Sequence, residues 1–198
     1  MAAILTNLRN TVIAGFVLAL ILFILYYAMQ GYSHPEFASF LFRWLHVLSG
    51  VMWIGLLWYF NFVQIPSMPK IPDDQKPAIG KVIAPEALWW FRWGAMATIV
   101  TGLILAWLNG YLLEAILIGL LDGVPKHMAI GIGMWLGTIM WFNVWFIIWP
   151  NQKRALGIVE ADADTKAKSA RTAMLFSRTN TLLSIPMLFA MVSAQNTY

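Results

Sequence analysis

The chain contains no cysteine. That absence excludes disulfides, iron–sulfur clusters, thiolate metal sites and covalent heme attachment at Cys-x-x-Cys-His, and it says nothing of compartment. Charge is scarce as well: 11% of the 198 residues are charged and 60% are hydrophobic. A soluble domain carries about 25% charged residues, so an integral membrane protein is expected. The net charge of +4 is not a nucleic-acid footprint, because the basic residues fall between apolar runs, where they set orientation instead. Also missing are a Ser/His/Asp set, a Gly-rich phosphate loop and an intramembrane carboxylate pair; Glu86 and Glu114 fall at span ends on opposite sides. Hydrolysis and a carboxylate-driven ion pathway lose their residues. Of the soft metal ligands only histidine remains, at His34, His46 and His127.

What is present is apolar length. Five runs, at 10–30, 40–65, 86–109, 127–149 and 172–194, are each near the ~20 residues that cross a bilayer. They predict an all-α integral membrane protein, a bundle of five transmembrane helices in one domain, 1–198. The connections are a polar turn (Gly31 to Glu36), a proline-rich loop (Pro66 to Pro85), a mixed segment (Gly110 to Lys126) and a charged loop (Pro150 to Arg171). The first run, Val12 to Met29, is as long as a span and no small-x-small site follows it cleanly, so it reads as a retained helix and not a signal peptide. With the N-terminus inside, eleven of the thirteen Lys and Arg fall on the inner side and only Arg43 and Lys126 outside. The positive-inside rule then puts the N-terminus on the inner, cytoplasmic side and the C-terminus on the outer side, which would be periplasmic in a bacterial inner membrane. The stretch 111–121 is too short to span and contains Glu114, which suggests a helix lying in the outer interface.

Against this frame two stretches stand out. His46 precedes Gly50 by four residues, and His127 precedes Gly131 by four. In a helix such pairs share a face, so each imidazole has a side-chain-free patch beside it, the space a porphyrin needs. An ionisable group inside a span is a functional hypothesis by default. Both histidines open helices that enter from the outer side, so both reach the same depth. Trp53 lies seven residues from His46 and Met134 seven from His127, while Arg43 and Lys126 are placed to neutralise propionates. The resulting expectation is a b-type heme ligated by His46 and His127, with Arg43, Gly50, Trp53, Lys126, Gly131 and Met134 around it. The plainer reading is that each histidine snorkels or hydrogen-bonds a neighbouring helix at the interface.

Other features have structural explanations. His34 falls in a polar turn. Arg92, within Trp89-Trp90-Phe91-Arg92-Trp93, reads as a snorkelling anchor in an aromatic belt. Gly133 and Gly137 make a small-xxx-small face, Asn61 and Asn143 are placed to bond across helix interfaces, and Pro186 should kink the last helix, with Ser184 nearby to help satisfy freed carbonyls. The mixed charges from Glu160 to Lys168 suggest a solvated helical extension.

Several motifs resemble the N-terminal membrane domain of bacterial membrane-bound urate oxidases. They are Arg43-Trp44-Leu45-His46-Val47 with Trp53-Ile54-Gly55, Trp90-Phe91-Arg92-Trp93 with Gly102, His127 with Gly137-Thr138-Ile139-Met140, Asn143-Val144 with Pro150-Asn151-Gln152-Lys153, and Ser177-Arg178-Thr179-Asn180-Thr181 with Pro186-Met187-Leu188-Phe189. They run in order through most of 40–194. The resemblance implies urate oxidation at the membrane, with electrons passed to a fused cytochrome c. The chain departs from that pattern in lacking a block of helices between its third and fourth spans and in lacking a cytochrome c motif; it carries Trp89 and Thr179 where the family commonly has histidine. The second span also resembles, more distantly, the membrane protoporphyrinogen oxidase and CopD-like helical proteins.

The expectation that follows is a short homologue of that membrane domain, moving electrons through heme b at the periplasmic side. Its partners would be membrane lipid, a separate cytochrome c or a larger redox complex, a second copy of the chain, and no nucleic acid. Whether it is itself an oxidoreductase is left open. The alternative is a non-redox accessory or structural subunit of a larger membrane complex.

Overall fold

The computed structural model describes residues 2–31 and 33–198, with the backbone alone for Ala3 and Gln30. Tyr32, inside the polar turn expected between the first two spans, lies outside the described residues. All regular structure among them is helical. Five helices are long and apolar enough to cross a membrane: α1 (Leu8–Met29), α2 (His34–Lys70), α3 (Lys76–Leu108), α5 (Pro125–Ala155) and α6 (Ala163–Asn196). A short helix, α4 (Leu112–Ile116), lies between α3 and α5. The last four long helices run 31 to 37 residues, or about 47–56 Å at 1.5 Å per residue. They exceed both the apolar runs and the ~30 Å of hydrocarbon. A helix satisfies its own backbone in water as well as in lipid, so it does not stop where hydropathy falls.

The chain divides into two compact units, 1–41 and 42–198. In the first, Asn7 caps α1 by accepting from the Asn10 N–H at 3.3 Å, and Gly31 ends that helix with φ 61. Ser33 and Glu36 then open α2: the Ser33 N–H and hydroxyl both donate to Glu36 Oε2, at 3.1 and 2.7 Å. Phe23 and Tyr27 meet Phe37 edge to face at 6.0 and 5.2 Å, and His34 stacks on Tyr27 at 6.3 Å. His34 therefore packs at a helix start. The outward faces of α1 carry Phe, Leu, Ile and Val with no fully buried residue, as expected of a helix whose solvent is lipid.

The second unit is built on the antiparallel pair α5 and α6. Buried positions on α6 recur every three or four residues and are mostly small: Ser169, Ala173, Ser177, Asn180, Ser184, Ala190 and Ala194. In lipid there is no hydrophobic gain in helix association, so close packing of small faces and interhelical hydrogen bonds take its place. The core holds Trp53, Leu57, Phe60, Phe91, Met140 and Val144. Gly94 lets α3 approach the backbone of α2; a Cβ there would come 3.3 Å from Trp53 N. Gly133 does the same for the Met191 side chain, at 3.2 Å.

A polar layer ties the helices together. Asn61 donates to Ser177 Oγ at 2.8 Å, Asn143 donates to Asn180 Oδ1 at 2.8 Å, and Asn180 donates to the Met140 carbonyl at 2.9 Å. The Trp58 indole donates to Ser184 Oγ at 3.0 Å, and the Ser184 hydroxyl in turn donates to the Thr181 carbonyl at 2.7 Å, one position before the carbonyl that Pro186 leaves free. Asn61 and Asn143 fall in π-helical turns, Tyr59–Gln64 and Asn143–Ile148. These widened turns re-aim side chains within an otherwise regular rod.

Candidate functional site

His46 is on α2, three turns in from its start. Its Nδ1–H donates to the Thr98 carbonyl of α3 at 2.9 Å, with the Thr101 hydroxyl at 3.4 Å. That carbonyl is an additional acceptor site on a helical C=O, and two threonines frame it: Thr98 Oγ1 bonds back to Gly94 O at 2.8 Å and Thr101 Oγ1 to Ala97 O at 2.6 Å. Gly102 makes the contact feasible, since a Cβ there would fall 2.8 Å from His46 Cε1. The tautomer is fixed by the carbonyl, which can only accept. Nε2 is left as the lone-pair nitrogen, with no hydrogen bond among the described residues.

His127 lies in the first turn of α5, where Pro125 supplies a preset φ and needs no donor. Its Nδ1–H donates to Asp122 Oδ2 at 2.5 Å. Asp122 also accepts the Val124 N–H at 3.1 Å. The Val124 N–H and then the His127 ring hold the Asp122 carboxyl below the usual carboxylate range. Tyr111 lies beside the His127 ring at 5.6 Å, tilted 30°. Burial pushes the Tyr111 phenol up, and Arg43 partly offsets it. Arg43 is three residues before His46, so Tyr111 connects the surroundings of the two histidines.

The two glycines differ. Among the described residues nothing lies within 4 Å of a Cβ built on Gly50, whereas one on Gly131 would collide with the Ala115 carbonyl and lie 2.9 Å from Ile118 Cα. The face beside His127 that the sequence leaves open for a flat ligand is filled by the strap between α3 and α5. The Trp135 indole donates to the Ile116 carbonyl at 2.9 Å and holds that strap down. Ile118 has φ 54, uncommon for a β-branched residue, and Gly119 follows with φ 66. A single short helix, α4, accounts for only the first part of the interfacial stretch expected at 111–121; the rest is turns.

The remaining expected residues scatter. Met134 packs with Ala115, Ile130 and Ala194 in a small outer cluster. Lys126 is half-buried and forms no ion pair among the described residues. Trp53 is fully enclosed, 1% exposed, and its indole N–H has no acceptor among the described residues. Trp89 and Thr179, the two positions where the urate oxidase pattern commonly has histidine, both face outward. Sequence reading missed Thr98, Gly102, Asp122 and Tyr111 as partners. Only Asp122, five residues before His127 and next to a Gly-Val-Pro turn, left a local signal.

No group of three or more His, Asp or Glu among the described residues is arranged to hold a metal ion. An iron porphyrin brings four nitrogens of its own and asks the protein only for axial ligands. Two imidazoles whose Nδ1–H is anchored and whose Nε2 is left over are compatible with that requirement, and a carbonyl or carboxylate on the second nitrogen is how ligating histidines are usually held. Space for a flat group fits beside Gly50 and not beside Gly131.

No curated protein and no solved structure matches the chain. One family model does, over residues 124–198, which hold α5 and α6 with His127; His46 lies outside it. That family is described as urate oxidase N-terminal, and the similarity covers α5 and α6 alone.

Proposed function

We propose that the protein is a membrane redox subunit that binds heme b through His46 and His127 at the end of the helices poor in Lys and Arg. The observation that supports this reading most is the pairing of two Nδ1–H anchors, Thr98 O and Asp122 Oδ2, with two unengaged Nε2 atoms. Bound heme supplies reversible one-electron chemistry. The chain's own residues hold the imidazoles oriented, Gly50 leaves room, and Arg43 and Lys126 offer positive charge for propionates. The distribution of Lys and Arg supports reading this end as the periplasmic face of a bacterial inner membrane, with the N-terminus cytoplasmic. Electrons would pass to a separate cytochrome c or a larger redox complex.

The test is a reduced-minus-oxidised visible spectrum of detergent-purified protein beside His46→Ala and His127→Ala. A sharp b-type α band in wild type, lost in both variants, is expected. Loss in His46→Ala alone would remove His127 from the ligand set. A colourless wild type from heme-replete cells would overturn the reading in favour of an accessory subunit, which the filled Gly131 face favours. Addition of urate to the oxidised protein is a separate arm: reduction of the band would extend the family's described activity to this chain, and its absence would leave electron transfer from another donor.

A further inference from the structure

At the Lys- and Arg-rich end of the second unit two cations share one indole. The Arg92 guanidinium lies over the Trp149 ring at 3.5 Å and near Trp145 at 5.6 Å, and Lys153 Nζ approaches Trp149 at 5.7 Å. Arg92 Nε donates to the Leu88 carbonyl at 3.3 Å, one turn nearer the start of α3, so the side chain bends toward the basic end. Its two Nη groups have no hydrogen bond among the described residues, and no carboxylate lies within ion-pair distance of Arg92 or Lys153. Trp93 fixes Trp145 by an edge-to-face contact at 5.4 Å, and Trp89, Trp90 and Trp93 are each nearly half exposed.

The physical argument is one of balance. Each cation gains from the ring face, yet holding two like charges on one partly buried indole is unfavourable without a counter-ion. Stacking uses the flat face of the guanidinium and leaves its edge N–H groups free, the edge that receives phosphate oxygens in pairs. The level is right as well. Arg92 is sixteen residues from Leu108, about 24 Å along α3, so its side chain ends near the boundary of ~30 Å of hydrocarbon. Basic pockets between helices at that boundary suit anionic headgroups.

We infer that Arg92, Lys153 and Trp149 form a binding site for a phosphate group at the basic end of the helices, supplied by an anionic phospholipid headgroup or by free phosphate. The site is separate from His46 and His127 and does not depend on heme.

The test titrates the detergent-purified full chain with short-chain phosphatidylglycerol, short-chain phosphatidylcholine and inorganic phosphate, following tryptophan emission and the thermal midpoint. Phosphatidylglycerol is expected to shift both at lower concentration than phosphatidylcholine, and Arg92→Gln/Lys153→Gln to weaken it by about fivefold per charge removed. An equal response to inorganic phosphate, lost in the same variant, supports the site with a soluble source. Equal responses to the two lipids, undiminished phosphatidylglycerol binding in the double variant, or no response to any of the three would overturn the inference. Should the double variant not fold, Lys153→Gln and Arg92→Lys take its place: the first should weaken binding about fivefold, and an unchanged affinity in both would overturn the site.

Discussion

The two His-x-x-x-Gly stretches are alike in sequence and unlike in structure. His46 lies between two long helices and bonds a main-chain carbonyl, with an open glycine one turn on. His127 lies at a helix start and bonds a carboxylate from its own approach turn, with its glycine pressed against the strap. One pattern therefore serves two purposes. At Gly50 the missing side chain leaves space. At Gly131 it permits a close backbone approach, the more common reason for a buried glycine between packed helices.

The largest test of that contrast is Gly131→Ala against Gly50→Ala. The Gly131 variant must push back the Ala115 carbonyl and Ile118, both main chain, and should lose about 2–3 kcal/mol of stability. The Gly50 variant meets nothing and should gain about 0.5–1 kcal/mol from helix propensity. Thermal or denaturant unfolding in detergent reads both, and equal losses would end the distinction. Next in size is Gly102→Ala, which forces the His46 ring off the Thr98 carbonyl. A loss of about 1–3 kcal/mol is expected, with a changed Nδ1 signal in 15N-histidine spectra and no change at His127. Asp122→Ala is the counterpart at the other histidine: it should release the His127 Nδ1 signal, leave that of His46 in place, and cost about 1 kcal/mol. The smallest effect is at Ile118. Ile118→Gly relieves the left-handed backbone and should stabilise the strap by up to about 1 kcal/mol, visible as slower proteolysis between α3 and α5. Faster cleavage would show that the isoleucine side chain matters more than its φ.

Much of the fold was legible because bilayer thickness and backbone satisfaction leave few choices for long apolar runs. The five helices, the cross-helix roles of Asn61 and Asn143, and the placing of Arg92 among tryptophans could all be read from pattern. Helix ends could not. α2, α3, α5 and α6 continue well past their apolar cores, since polar sequence such as Asn151 to Arg154 is as helical as the stretch before it. Of the candidate site, the histidines were legible as ionisable groups where such groups are costly. Their partners were not, because Thr98 is fifty-two residues from His46 and no local rule pairs a histidine with a distant carbonyl.

Composition alone determined that this chain is helical, apolar enough for five membrane crossings and without cysteine, because those properties follow from residue counts and run lengths. Only the tertiary structure decided which ring nitrogen of each histidine is engaged, which glycine is open and which is filled, and that Arg92 and Lys153 share one indole. These depend on which helix faces meet, and helices in lipid choose their neighbours by the fit of small residues and a few buried hydrogen bonds, information spread over residues far apart in the chain.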